Sequence, residues 1–231
     1  MLRRQDPGPE LLALAELQAG VLSTEQVRGH ELPRRSVERL VQQGHWQRLD
    51  RSVYLVRPGD PGWTARAWAG VLLGGDAARL GGRAAGFLHG LVEAEPTPIT
   101  VLVPAHQVTR SRHPWQFQRE TDGLRKKRSP GSPPRTTVED TVLDLCDEST
   151  ASQAVGLVTS AVQLRRTTVS RLRQSLRHRQ RARHRLLLED LLGDVDAGVE
   201  SPLEHRYLRD VERAHGLPEG ARQHNPALLP P

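Results

Sequence analysis

The sequence predicts a mainly α protein with small β elements. In this α+β chain an N-terminal winged helix-turn-helix precedes a mixed middle domain and a helical C-terminal fragment. Three observations carry that expectation. Residues 20–56 run in the order short helix, basic helix, hairpin, behind an apolar first helix. From Trp63 to Leu176 the apolar positions follow helical spacing, broken by two strand-like runs. From Ser201 a last helix opens with a full set of start residues.

The first eight residues are expected to be unstructured. Leu11 to Ala19 reads as a helix, apolar at Leu11, Leu12, Leu14, Ala15 and Leu17. Ser23 with Gln26 three positions on is a capping-box start for a short helix. Pro33 suits the first position of a second helix, and Gly44 its left-handed exit. At 100° per residue Pro33, Val37, Leu40 and Val41 share one face, while Arg34, Arg35, Glu38, Arg39 and Gln42 share the other. Trp46 to Val56 alternates and carries β-formers, with a turn near Asp50-Arg51.

That polar face carries the chemistry of a duplex reader. Arg grips a guanine edge bidentately and Gln an adenine edge, each good pair discriminating by about 1–3 kcal/mol. Arg34, Arg35, Glu38, Arg39 and Gln42 are therefore the candidate base-reading set, with Arg48 and Arg51 on the wing. Winged helices also serve as protein-interaction modules, and an arginine-rich face is often only a solvated surface. Such a surface more often mixes Lys and Glu in i,i+4 pairs.

Pro58-Gly59-Asp60-Pro61-Gly62 is a turn-rich linker that ends the module. Trp63 to Leu73 and Arg83 to Leu91 are expected helices, separated by Gly74-Gly75 and Gly81-Gly82. Ile99 to Pro104 and Trp115 to Arg119 read as strands. Thr136 or Thr137 caps a helix through Cys146, whose buried stripe is Val138, Val142 and Leu145. Cys146, beside that stripe, is a core residue in this reading, since no base pattern accompanies it. The acids Glu139, Asp140, Asp144, Asp147 and Glu148 form either a solvated face or one that pairs with a basic neighbour, in preference to a metal site. Helices continue over Ala151 to Leu164 and Thr168 to Leu176. In Arg177 to Arg185 arginine recurs with period two, which scatters charge around a helix. This favours an exposed connector, with Arg177, Arg179, Arg181, Arg183 and Arg185 as nonspecific phosphate contacts.

Bulk properties exclude several classes. One cysteine rules out a disulfide framework, and no Cys-x-x-Cys or spaced Cys/His set exists for zinc. No metal or cofactor is therefore expected. The N-terminus lacks the apolar core of a signal peptide and no apolar run approaches the ~20 residues of a membrane span, so a cytoplasmic chain is expected. Net charge is +6, and the nine arginines between Arg165 and Leu188, without an acid, leave the rest of the chain at −3.

Gly20 to Val56 resembles the N-terminal winged helix of the AbiEi-type (type IV) antitoxins of actinobacteria, with Ser52-Val53-Tyr54 where Gly-Val-Tyr is common. Ala84 to Leu91, the strand ending Val103-Pro104, and Pro133 to Leu145 resemble the middle region of that family, so the likeness covers roughly residues 10 to 195. It implies a regulator that binds double-stranded DNA, represses its own operon and opposes a nucleotidyltransferase toxin. Glu200 to Gly216-Leu217-Pro218 resembles the opening of a Vsr-like, restriction-endonuclease-fold domain, with Ser201 as N-cap, Pro202 at N1 and Glu204 at N3. The nuclease signature continues with a strand Asp and Glu-x-Lys, and no Glu-x-Lys occurs in the 231 residues. Glu204, a weak catalytic candidate, is explained as a capping residue. The expected divisions are 1–8, a winged helix at 9–58, the middle domain at 59–195 and a truncated nuclease-like start at 196–231. A truncated metal-dependent endonuclease and an interaction antitoxin without DNA binding are the competing classes.

Overall fold

The computed structural model describes residues 6–121, 124–125 and 131–193. Of these, 48% are helical and 13% strand, so the chain adopts the expected mainly α, α+β class. Glu204, the Pro202–His215 helix and the whole 196–231 segment lie outside the described residues.

The N-terminal unit comprises α1 (Pro9–Leu17), β1 (Val21–Ser23), α2 (Thr24–Gly29), α3 (Arg34–Gln42), β2 (Gln47–Asp50) and β3 (Val53–Leu55). The capping box forms as expected: the Gln26 N–H donates to Ser23 Oγ at 3.1 Å and the Ser23 N–H to Gln26 Oε1 at 2.9 Å. Pro33 is the N-cap of α3 and not its first residue, because its φ of −63° suits either place while its ψ of 143° is still extended. Gly44 exits α3 at φ +75°, a conformation that costs a Cβ-bearing residue dearly. On α1, Leu11 and Ala15 are buried, but Leu12 and Leu17 are exposed at 39% and 71%. The apolar stripe expected there is thus wider than the face that docks.

Strand β1 was not expected from sequence. Its three residues pair antiparallel with β3, Val21 opposite Leu55 and Ser23 opposite Val53, giving the sheet order β1-β3-β2. Side chains alternate across it. Leu22 and Tyr54 face the helices, in a core with Leu11, Val27, Val37, Leu40 and Trp46. Val21, Val53 and Leu55 face the other way, into a core with Trp63, Ala67, Val71, Val101 and Trp115. A sheet covered on both faces needs near-continuous apolar strands, and Val53-Tyr54-Leu55 is one.

The second core is built by α4 (Gly62–Gly74), β4 (Arg79–Leu80), α5 (Gly82–Leu88), β5 (Ile99–Val103) and β6 (Trp115–Arg119). The sheet order is β4-β5-β6, with β4 antiparallel and β6 parallel to β5. Helix α4 lies between the two sheets, packing on β1 and β3 and also on β5. Gly70 permits this approach, since a Cβ there would sit 2.5 Å from Trp115 Cδ1. The Trp115 indole N–H donates to the Arg66 carbonyl at 2.7 Å, locking α4 to β6. The linker after Pro58 therefore separates two stretches of sequence that share one core.

A third core is helical: α6 (Val138–Glu148), α7 (Ala151–Gln163), α8 (Val169–His178) and α9 (Arg185–Gly193) pack around Val142, Val158, Leu172, Leu176, Leu188 and Leu192. Thr137 is the cap of α6, accepting from the Asp140 N–H at 3.1 Å. One expectation is corrected here. Arg179, read as an exposed phosphate contact, is 2% exposed. Its guanidinium lies 2.7 Å from Asp144, 3.3 Å from Asp147 and 2.8 Å from the Asp140 carbonyl. The reason is geometric. Asp140, Asp144 and Asp147 share one face of α6 at i, i+4, i+7, and α8 stops at His178, so the first connector residue turns inward onto that face. The acids of α6 accordingly pair with basic neighbours: Arg125 Nε reaches Asp144 at 2.9 Å and Arg171 Nε reaches Glu139 at 3.0 Å. Among the described residues no group of three or more His, Cys, Asp or Glu is arranged to hold a metal, and no helix is long and apolar enough to cross a membrane.

Candidate nucleic-acid interface

The apolar face of α3 is buried through Val37 and Leu40, with Ser36 beside them, and this orients the opposite face outward. Arg34, Arg35 and Gln42 are exposed there, and Glu38 is half-buried. Arg34 Nε donates to Glu38 Oε1 at 2.8 Å across one turn, while 92% of the Arg34 side chain stays exposed. An exposed pair of this kind is worth about 0.3–0.5 kcal/mol, a small barrier to redirecting the guanidinium toward a base or phosphate. Arg39 is more enclosed: its side chain is 24% exposed and its Nη2 lies 2.6 Å from Asp6 Oδ1. Asp6 belongs to the N-terminal stretch expected to be unstructured, and the sequence offers no local signal for this pair.

The wing is fixed to the end of α3 by Trp46. Its backbone N–H donates to the Leu40 carbonyl at 3.1 Å and its ring packs 6.2 Å from that of Tyr54. Arg48 lies over the Tyr54 ring, its guanidinium carbon 5.5 Å from the ring centroid. Arg51 is exposed at the hairpin tip, where its backbone N–H donates to Asp50 Oδ1 at 2.7 Å. Asp50 in turn accepts two bonds from Arg112, at 2.6 and 2.9 Å, from the loop between β5 and β6. The hydrogen bond from Arg112 is the main influence holding the Asp50 carboxyl below the usual carboxylate range. Sequence reading misses Arg112 because it lies 62 residues from its partner. The one local sign is that Pro104 to Pro114 holds two arginines and no acid.

The structure thus gathers Arg34, Arg35, Glu38 and Gln42 on one helix face, with Arg48 and Arg51 on the adjoining wing. The second expected set stands on the helical core. Arg177, Arg181 and Arg183 are exposed, and Arg179 is buried as described. Arg185 is half-buried, with Nη1 2.9 Å from Glu189 and Nη2 on the carbonyls of Leu176 and Arg179. Cys146 is sealed in the core, and burial pushes its thiol up to about 12, which leaves no thiolate for chemistry.

Helix, strand, short helix, basic helix and a two-stranded wing on a three-stranded sheet define the N-terminal unit as a winged helix-turn-helix. Residues 9–57 match the family described as transcriptional regulator, AbiEi antitoxin. No curated protein matches the chain significantly. Among solved structures, the crystal structure of the RV2827C protein from Mycobacterium tuberculosis is similar over 89% of this chain and 83% of that one, at 15% identity and a TM-score of 0.49. The family match ends at residue 57, and no comparison supports the Vsr-like domain expected from Glu200.

Proposed function

We propose that the chain is a DNA-binding transcriptional regulator of the AbiEi antitoxin type that represses its own operon. The observation that carries this reading is the outward face of α3, where Arg34, Arg35 and Gln42 are exposed on a helix-turn-helix whose sequence matches that family. In this reading Arg35 and Gln42 reach base edges, joined by Arg34, Glu38 and Arg39 as they exchange their present partners for DNA. Arg48 and Arg51 hold the flanking backbone, and the exposed Arg177, Arg181 and Arg183 add sequence-independent phosphate contacts. A nucleotidyltransferase toxin encoded beside the gene is the second partner this reading implies.

A mobility-shift assay with the DNA upstream of the gene tests it. Binding of that duplex in preference to a scrambled one is expected, with Arg35→Ala erasing the preference. Arg181→Ala should lower affinity for both duplexes alike. No shift at low salt would overturn the proposal.

A further inference from the structure

The wing's tip is closed by a loop from another part of the chain. Residues 104–114 connect β5 to β6, and four contacts fix their course. Gln107 Nε2 donates to the Gly74 carbonyl at 2.9 Å, anchoring the loop to the end of α4. Ser111 Oγ accepts from the Phe117 N–H at 2.9 Å, and Arg112 pairs with Trp115 through an isolated bridge. The fourth contact is the two-bond clamp of Arg112 on Asp50 at the wing turn. A third N–H of the same guanidinium, on Nη1, reaches the Arg110 carbonyl at 3.2 Å. One side chain therefore links the wing turn to the backbone that carries Arg110.

This arrangement changes the charge the wing presents. The hairpin alone offers Arg48 and Arg51 with Asp50 between them, and an acid at the tip repels a phosphate. With the loop docked, Asp50 is neutralised by a guanidinium that spends one N–H of each of its three nitrogens within the protein. Arg110 stays exposed beside it, in a stretch with no acid from Pro104 to Pro114. The wing and the loop together then carry Arg48, Arg51, Arg110 and Arg112 against Asp50, a net +3. A cluster of guanidiniums with a single compensated carboxylate suits a polyanion better than a protein surface of mixed charge.

We propose that the β5–β6 loop forms the outer edge of a composite wing, in which Arg110 contacts the phosphate backbone of duplex DNA and Arg112 positions it by clamping Asp50. The inference rests on the regulator reading and adds a middle-domain element to its DNA surface. The sheet buried on both faces supports this placement, since the core that β1 and β3 share with α4, β5 and β6 brings the loop beside the wing.

The test uses the full chain and fluorescence anisotropy between 50 and 200 mM KCl. The probes are a duplex from upstream of the gene and a scrambled duplex of equal length. Arg110→Ala should lower the magnitude of the log K versus log salt slope by about 0.9, the value of one phosphate contact, equally on both duplexes. Arg112→Ala should weaken binding several-fold, and adding Asp50→Asn to it should recover part of that loss, because the uncovered acid is gone. If Arg110→Ala leaves slope and affinity unchanged while Arg48→Ala alters them, the composite wing is wrong and the regulator reading stands. If the native chain binds neither duplex, both fall.

Discussion

Replacing Arg179 by Met should destabilise the helical core far more than replacing the exposed Arg177, Arg181 or Arg183. The guanidinium is 1% exposed and meets carboxylate oxygens at 2.7 Å on Asp144 and 3.3 Å on Asp147, plus the Asp140 carbonyl at 2.8 Å. Met fills similar volume, so the cavity contribution is small and the loss is electrostatic. It takes the buried cation away from Asp140 and Asp144, which are 1% and 7% exposed, and leaves Asp140 with the Thr137 hydroxyl at 2.9 Å and Asp144 with Arg125. Removing one partner of a buried ion pair costs about 3–5 kcal/mol. Typical domain stability is only about 5–15 kcal/mol. At roughly 2–4 °C per kcal/mol for a chain of this size, the melting temperature should fall by about 6–20 °C. Urea titration followed by circular dichroism measures the change, with Arg181→Ala as the exposed control expected within about 0.5 kcal/mol of the native chain. A cost below about 1 kcal/mol for Arg179→Met would refute the argument, because it would mean that this guanidinium is solvated like its neighbours.

Ser23→Ala removes the acceptor of the Gln26 N–H and half of the capping box, so it should cost about 1 kcal/mol in the same titration. His89 packs with Nε2 2.9 Å from the Thr136 carbonyl, and burial, its largest influence, holds its imidazole below 6.5. The unfolded chain therefore takes up a proton near pH 6.5 that the folded one refuses. Stability from this residue is intact above 6.5 and is lost as pH falls, by at most about 1.4 kcal/mol per pH unit. His89→Gln should flatten that part of the stability–pH profile, and an unchanged profile would count against it. Cys146, buried and pushed up to about 12, should react with a thiol reagent only at the rate of unfolding; fast labelling of the native protein would contradict this.

Features decided within a few residues were legible in the sequence. Of the two expected α6 caps, Thr136 and Thr137, it is Thr137 that serves. The capping box at Ser23 and Gln26, the left-handed exit at Gly44, the wing turn, which falls at Arg51-Ser52 next to the expected Asp50-Arg51, and the strands 99–103 and 115–119 form where local chemistry places them. So does the outward face of α3, because an amphipathic helix can bury only its apolar side. The caps, the exit and the turn satisfy their polar groups within a few residues, and the two strands carry their apolar or alternating pattern in their own residues, although their hydrogen bonds come from neighbouring strands. Tertiary structure decided the rest. Strands β1 and β4 have three and two residues and exist because distant partners, β3 and β5, supply their hydrogen bonds. The period-two arginines are alike in sequence, yet among them only Arg179 is buried with its guanidinium among the acids of α6, while Arg183 touches Asp147 through its backbone N–H, because desolvating a cation is favourable only where carboxylates are already fixed. Arg112 and Asp50, 62 residues apart, meet only after the wing sheet has packed against α4 and placed both ends. Such contacts require long loops to close and charges to lose water together, and neither cost is written in any short stretch of residues.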